Sequence, residues 1–278
     1  MSVLCRLFLL CMLMLPSAAF AAPQRLVALA PSAAEILVAL DCAEHIVGRS
    51  GDAGPELAAV PDVGAYDSPS LERILALRPD LCVAVGDGTP GPLLRRLREL
   101  GVTVFILEIR KVDDLRTEVL RLGEVLGKSA RAEEVALQIA SRLSKAEGRL
   151  HEVVAPEKHN PSVLFLVQEK PAMAAAQGTF IGHLIERAGG RCAVAAQGKV
   201  LYPVLGREDL LRLAPDIVLI SGMGPGMGAA PARTELAELP ELARSRIYSV
   251  DADTFTRPSL RALDALDQLI ELLHAPMP

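Results

Sequence analysis

Tyr66 and Glu72, and again Tyr202 and Glu208, stand at one shared spacing in two stretches that read alike: YDSPSLERILALRPDLCVAVG (66–86) and YPVLGREDLLRLAPDIVLISG (202–222). Laid on one another without a gap, the stretches also match Leu75 with Leu211, Leu77 with Leu213, Pro79-Asp80 with Pro215-Asp216, and Gly86 with Gly222. A tyrosine in a loop ahead of a helix can lay a flat amphipathic ring on a large planar ligand and keep its hydroxyl in water. Its phenolate can also ligate ferric iron or haem, or the ring simply packs on its own fold. A glutamate in a first helical turn is favoured by the helix dipole, by a few tenths to about 1 kcal/mol. Two such carboxylates, one per half of the chain, would also form a two-point docking pattern for a basic surface. Charge pairs of that kind set orientation more than affinity.

Other chemistry is poorly served. His45, His151, His159, His183 and His274 are scattered, and none forms H-E-x-x-H. There is no G-x-S-x-G elbow and no G-x-x-x-x-G-K-[ST] phosphate loop. No catalytic residue and no metal ligand set is assigned, so an exported chelatase or hydrolase ranks last. The formal charge is −5, against a nucleic-acid binder, which should show a basic face. Apolar residues make up 51% of the chain, ample for a core, whereas aromatics are 3% and tryptophan is absent.

The elements must bring these residues together. MSVLCRLFLLCMLMLPSAAFA has one early arginine, an apolar run and the A-x-A pattern Ala19-Phe20-Ala21. Residues 1–21 therefore read as a cleavable signal peptide, too short for a spanning helix. Export leaves Cys42, Cys82 and Cys192, an odd count that cannot pair completely within one chain; Cys82 sits in an apolar strand pattern. From there strands and helices alternate. Arg25–Ala30, His45–Arg49, Leu81–Val85 and Val102–Leu107 read as strands. Helices are expected after Pro31-Ser32, where Ser32 and Glu35 form a capping box, at Ser70–Leu77 and at Pro92–Leu100. From Val112 to about Val154 the apolar residues recur every three or four positions, a long helical stretch broken at Gly127. Alternation resumes with strands at Ser162–Val167, Ile217–Ser221 and Ile247–Val250, and helices at Thr179–Ala188, Leu210–Leu213 and Ser259–His274. The plan is an α/β fold: two doubly wound lobes with mostly parallel sheets (22–111 and 155–278), joined by a helical connector (112–154), with a ligand cleft between them. Ligands of such sheets sit beyond the carboxyl ends of the strands. Gly86-Asp87-Gly88 and Gly222-Met223-Gly224 follow equivalent strands, as two lips of that cleft or as plain turns.

LVALAPSAAEILVAL (26–40), VGAYDSPSLERILALRPDLCVA (63–84), GTFIGHLIERAGG (178–190), the second repeated stretch and RPSLRALDALDQLIELLH (257–274) together carry a resemblance. In them the chain resembles the periplasmic substrate-binding proteins of cobalamin, haem and ferric-siderophore ABC importers, and is most similar to the cobalamin-binding type. In that type tryptophans flank the corrin where this chain has Tyr66 and Tyr202. Haem binders space tyrosine and glutamate differently and follow with Glu-Gly, where this chain has Glu72-Arg73. The resemblance implies a periplasmic monomer that binds a corrinoid, or alternatively a ferric siderophore or haem, as cargo, with no cofactor. It implies a pocket lined by Pro31, Ser32, Tyr66, Gly86, Asp87, Phe180, Tyr202, Gly222, Phe255 and Arg257. Phe180 stands there or as a core anchor of its helix; Arg257 meets an anionic ligand group or caps local structure. Glu72 and Glu208 are implied to meet arginines of a membrane permease served by an ATPase.

Overall fold

The computed structural model describes residues 22–51, 53–86, 88–153, 160–196, 198, 200–222, 230–231 and 239–275. The expected signal peptide, Asp87, most of the loop 155–161 and the stretch from Met223 to 229 lie outside the described residues. The first lobe runs β1 (Leu26–Ala28), α1 (Pro31–Ala39), β2 (Ile46–Arg49), the hairpin β3 (Gly64–Ala65) and β4 (Ser68–Pro69), α2 (Leu71–Ala76), β5 (Leu81–Val85), α3 (Gly91–Glu99) and β6 (Thr103–Leu107). Two helices follow, α4 (Asp114–Val125) and α5 (Ser129–Val153). The second lobe runs β7 (Ser162–Gln168), β8 (Met173–Ala174), α6 (Phe180–Arg187), β9 (Arg191–Cys192), α7 (Arg207–Leu213), β10 (Ile217–Gly222), β11 (Ala230–Pro231), β12 (Arg246–Asp251), α8 (Ala252–Thr256) and α9 (Ala262–His274).

The first sheet is wholly parallel, in the order β2-β1-β5-β6. The second repeats that order as β9-β7-β10-β12, again parallel, with β8 and β11 added antiparallel. Every residue of β5 (LCVAV) is buried, as expected of a strand covered on both faces.

The repeated stretch becomes intelligible here. It is a helix and the central strand after it, α2-β5 in one lobe and α7-β10 in the other. Each helix ends on a left-handed non-glycine residue, Arg78 (φ 46) or Ala214 (φ 38). The proline that follows cannot continue the helix. The aspartate after it accepts from the backbone at the start of the neighbouring strand. Asp80 Oδ2 takes Gln24 N–H (3.0 Å) and Arg25 N–H (2.9 Å); Asp216 Oδ2 takes Ser162 N–H (2.7 Å). Pro-Asp therefore recurs because it pins β1 to β5 and β7 to β10.

The connector breaks where expected: Gly127 has φ +66 between α4 and α5, a conformation that costs other residues more than glycine. With 25 residues, α5 is about 37 Å long. Its inner stripe, including Ala132, Val135, Ile139 and Leu143, is buried. Arg142 pairs with Asp264 (2.8 Å) and Asp267 (2.7 Å) of α9, fixing the closing helix along it. One apolar cluster unites Leu26, Leu37 and Leu81 of the first lobe, Leu115 and Ile139 of the connector, and Phe165, Ile185 and Leu266 of the second lobe.

The start of α1 departs from expectation. The α1 cap is Ala30, with extended φ −153 and no side-chain cap, and Ser32 lies inside the helix at 4% exposure. Pro31, preset in φ and lacking an N–H that would need a partner, starts the helix one residue early. The Ser32–Glu35 capping box does not form, and Glu35 is released for other work.

Candidate functional site

The carboxyl end of the first sheet carries the clearest local geometry. Tyr66 sits at the tip of the β3–β4 hairpin, 47% exposed. One edge of its ring covers Gly88, just beyond β5: a Cβ built on Gly88 would lie 2.6 Å from Tyr66 Cε2. Gly88 also has φ +111, so both shape and backbone demand glycine. Thr89 is buried, and its hydroxyl accepts from Val85 N–H (3.3 Å), closing the turn. Gly86 has no room for a side chain either. A Cβ there would lie 2.6 Å from Glu108 Oε2. Its missing side chain leaves room for a carboxylate of the chain itself. Glu108 follows β6 and is exposed; its backbone N–H is held by buried Glu118 (3.2 Å), which pairs with Arg121.

In the second lobe, Tyr202 is half-buried and packs on the shared core. Its segment is tied to the strand leading into α6, Leu201 C=O accepting from Ala176 N–H (3.0 Å) and Pro203 C=O from Ala174 N–H (3.0 Å). Phe180 opens α6 beneath its Thr179 cap and is 7% exposed, an anchor in the core. Phe255 is 1% exposed and stacks on Phe165 with centroids 6.3 Å apart. That makes it a core residue, in place of the pocket wall the resemblance implied. Gly222 ends β10 opposite Asp251, which caps α8 by accepting from Thr254 N–H (2.9 Å).

The two lobes meet through an ionic cluster. Glu35 of α1 receives Arg257 Nη1 (2.9 Å), the Ser259 hydroxyl and Arg261 Nε (3.1 Å). Arg257 also reaches Asp253 through Nη2 (2.5 Å). The side chains of Arg257 and Glu35 are 14% and 12% exposed. Glu35 lies in α1, which follows β1, and the three donors lie after α8, which follows β12. The contact therefore joins the segments that follow one strand of each sheet. Arg257 is engaged within the chain, by Asp253 four residues away and by Glu35 across the lobes. Glu35, Ser259 and Glu108 were missed as site residues. Glu35 fitted a local helix-cap pattern, and Glu108 is one more acid after a strand; only a fold could single them out.

Glu72 and Glu208 are exposed in the first turns of α2 and α7, and neither has an ion-pair partner among the described residues. Among the described residues no group of three His, Cys, Asp or Glu could hold a metal ion, and no helix is long and apolar enough to cross a membrane.

The periplasmic binding protein family matches residues 26–248. The chain is 27% identical over 269 residues to a vitamin B12-binding protein of Pectobacterium atrosepticum, covering 94% of this chain and 92% of the relative. It is 28% identical over 254 residues to that of Vibrio cholerae, covering 90% and 89%. Among solved structures, the periplasmic vitamin B12-binding protein of Vibrio cholerae superposes with a TM-score of 0.79 at 26% identity, over 91% of this chain and 97% of that one. A periplasmic haem-binding protein from Pseudomonas aeruginosa gives 0.78 at 26% identity, over 92% and 94%.

Proposed function

The chain belongs to the periplasmic binding protein family, and from that premise we propose that it captures a corrinoid between its lobes and hands it to an ABC importer. The reading puts the exported protein in the periplasm as a monomer with no catalytic residue. The observation that carries it is the Glu35–Arg257 contact, which ties the segment after β1 of one parallel sheet to the segment after β12 of the other. Ligands of such sheets bind beyond the carboxyl ends of the strands. Tyr66 offers an exposed ring on one side, and Tyr202 occupies the equivalent point of the repeat on the other. Pro31, Gly86 and Gly222 would complete the walls. The vitamin B12-binding relatives support a corrin as cargo. Glu72 and Glu208 would meet basic residues of the permease, whose ATPase drives transport.

Calorimetric titration of the purified mature chain with cyanocobalamin, dicyanocobinamide, haem and a ferric siderophore tests the assignment. A corrinoid binds most tightly; tight binding of haem or siderophore with no corrinoid affinity refutes it. Haem is the second reading, favoured by the likeness to the Pseudomonas aeruginosa protein and by the exposed phenol of Tyr66. It predicts a haem absorption band that is lost in Tyr66→Phe.

A further inference from the structure

We propose that Arg261 holds an oxyanion of the ligand, a phosphodiester or a carboxylate, through the fork of its two terminal nitrogens. This rests on the cleft reading above and names a group of the cargo that the chain grips. The two arginines at the Glu35 contact are not equivalent. Arg257 commits Nη1 to Glu35 (2.9 Å) and Nη2 to Asp253 (2.5 Å), on a side chain 14% exposed. Arg261 commits only Nε, to Glu35 (3.1 Å). Its Nη1 and Nη2 have no partner among the described residues, and its side chain is 42% exposed. A guanidinium presents two parallel N–H groups along the edge between these nitrogens, a shape that matches phosphate and carboxylate.

The fork is also held in place from behind. Glu35 fixes one edge of the guanidinium, and the Arg261 backbone N–H donates to the buried Ser259 hydroxyl (3.3 Å), which is itself bonded to Glu35. Little freedom remains to be lost when a ligand arrives. Glu35 does not neutralise the fork outright. Its Oε1 is shared between Arg257 and Arg261, and its Oε2 takes Ser259. The position suits the cleft reading. Pro31, Glu35, Val38 and Ala39 are the positions of α1 that are not fully buried, and they form one face of the helix. Through Glu35 that face meets the second lobe. Glu35 stands one turn, about 5 Å along the axis, from the wall residue Pro31.

Titration calorimetry of the mature chain, Arg261→Gln and Arg261→Lys tests this with two ligand pairs. Cyanocobalamin, whose nucleotide loop carries a phosphodiester, is compared with dicyanocobinamide, which lacks it. Iron protoporphyrin, with its carboxylates free, is compared with its dimethyl ester. In whichever pair binds more tightly, Arg261→Gln weakens the member with the oxyanion at least about fivefold and the other less than about twofold. Arg261→Lys, which keeps the charge and loses the fork, falls between. A substitution that only disturbed the fold would weaken both members alike. Equal weakening of the two, or no loss for the member with the oxyanion, overturns the proposal. If only the porphyrin pair binds, the corrinoid reading falls, and the comparison of acid with ester still decides the role of Arg261. Binding of neither pair overturns both.

Discussion

A methyl group added at Gly88 would meet the Tyr66 ring and hold φ near +111, where L side chains are strained. Gly88→Ala is expected to cost about 1–3 kcal/mol of stability and to weaken ligand binding by moving the ring. Urea denaturation and titration calorimetry read the two effects separately. The thiols make a second residue-scale prediction. Cys42, Cys82 and Cys192 are buried and free, and burial raises all three, Cys82 to about 12. A thiol reagent at pH 8 is expected to label none in the native protein and all three in denaturant. The folded state keeps the Cys82 proton at pH values where the unfolded chain has lost it. Its contribution is therefore complete below the ordinary thiol range and declines as pH rises toward about 12. The urea midpoint should fall more steeply above pH 9 in the native sequence than in Cys82→Ala. At this scale the sequence made Tyr66 and Glu72 visible, because residue type and repetition are local information. It misled at Glu35, whose S-x-x-E pattern was locally complete while its arginine stood 222 positions away.

Secondary structure was easier to read where the elements are long and apolar. The runs that became β5 and β10, and the stripe of α4 and α5, carry their own period. The two-residue strands β3, β4, β8, β9 and β11 carry none, since their pairing partners are set by tertiary contacts. The closing helix starts at Ala262 and not at Ser259, because the buried Ser259 hydroxyl is taken by Glu35. The Pro-Asp corner was visible as a repeat but not as a fastening. Asp80→Ala removes a charged acceptor from two backbone donors and Asp216→Ala from one. At about 1.5–3 kcal/mol for each hydrogen bond to a charged group, both variants lose stability, Asp80→Ala the more. Asp80→Asn retains part of it. Chemical denaturation of the three variants checks this order.

For the molecule as a whole, the shared strand order of the two sheets answers the repeat in the sequence. The identity of the cargo was not legible in the same way, since it depends on side chains that only the fold brings together. Glu72 and Glu208 stand at equivalent points of the two lobes, outward on α2 and α7. Reversing both to lysine is expected to abolish importer-dependent uptake while leaving ligand affinity within about twofold, because rim charges govern docking and its salt dependence. Uptake by reconstituted vesicles and calorimetry distinguish docking from binding; a fall in affinity would return these residues to the cleft.

The apolar cluster that passes from the first lobe through the connector into the second has a thermodynamic corollary. The largest interior is shared, with a smaller apolar cluster in each lobe, so heat should melt the chain in a single cooperative step. A scanning calorimeter would then record one endotherm, displaced upward by bound ligand. Limited proteolysis should release no half that survives alone.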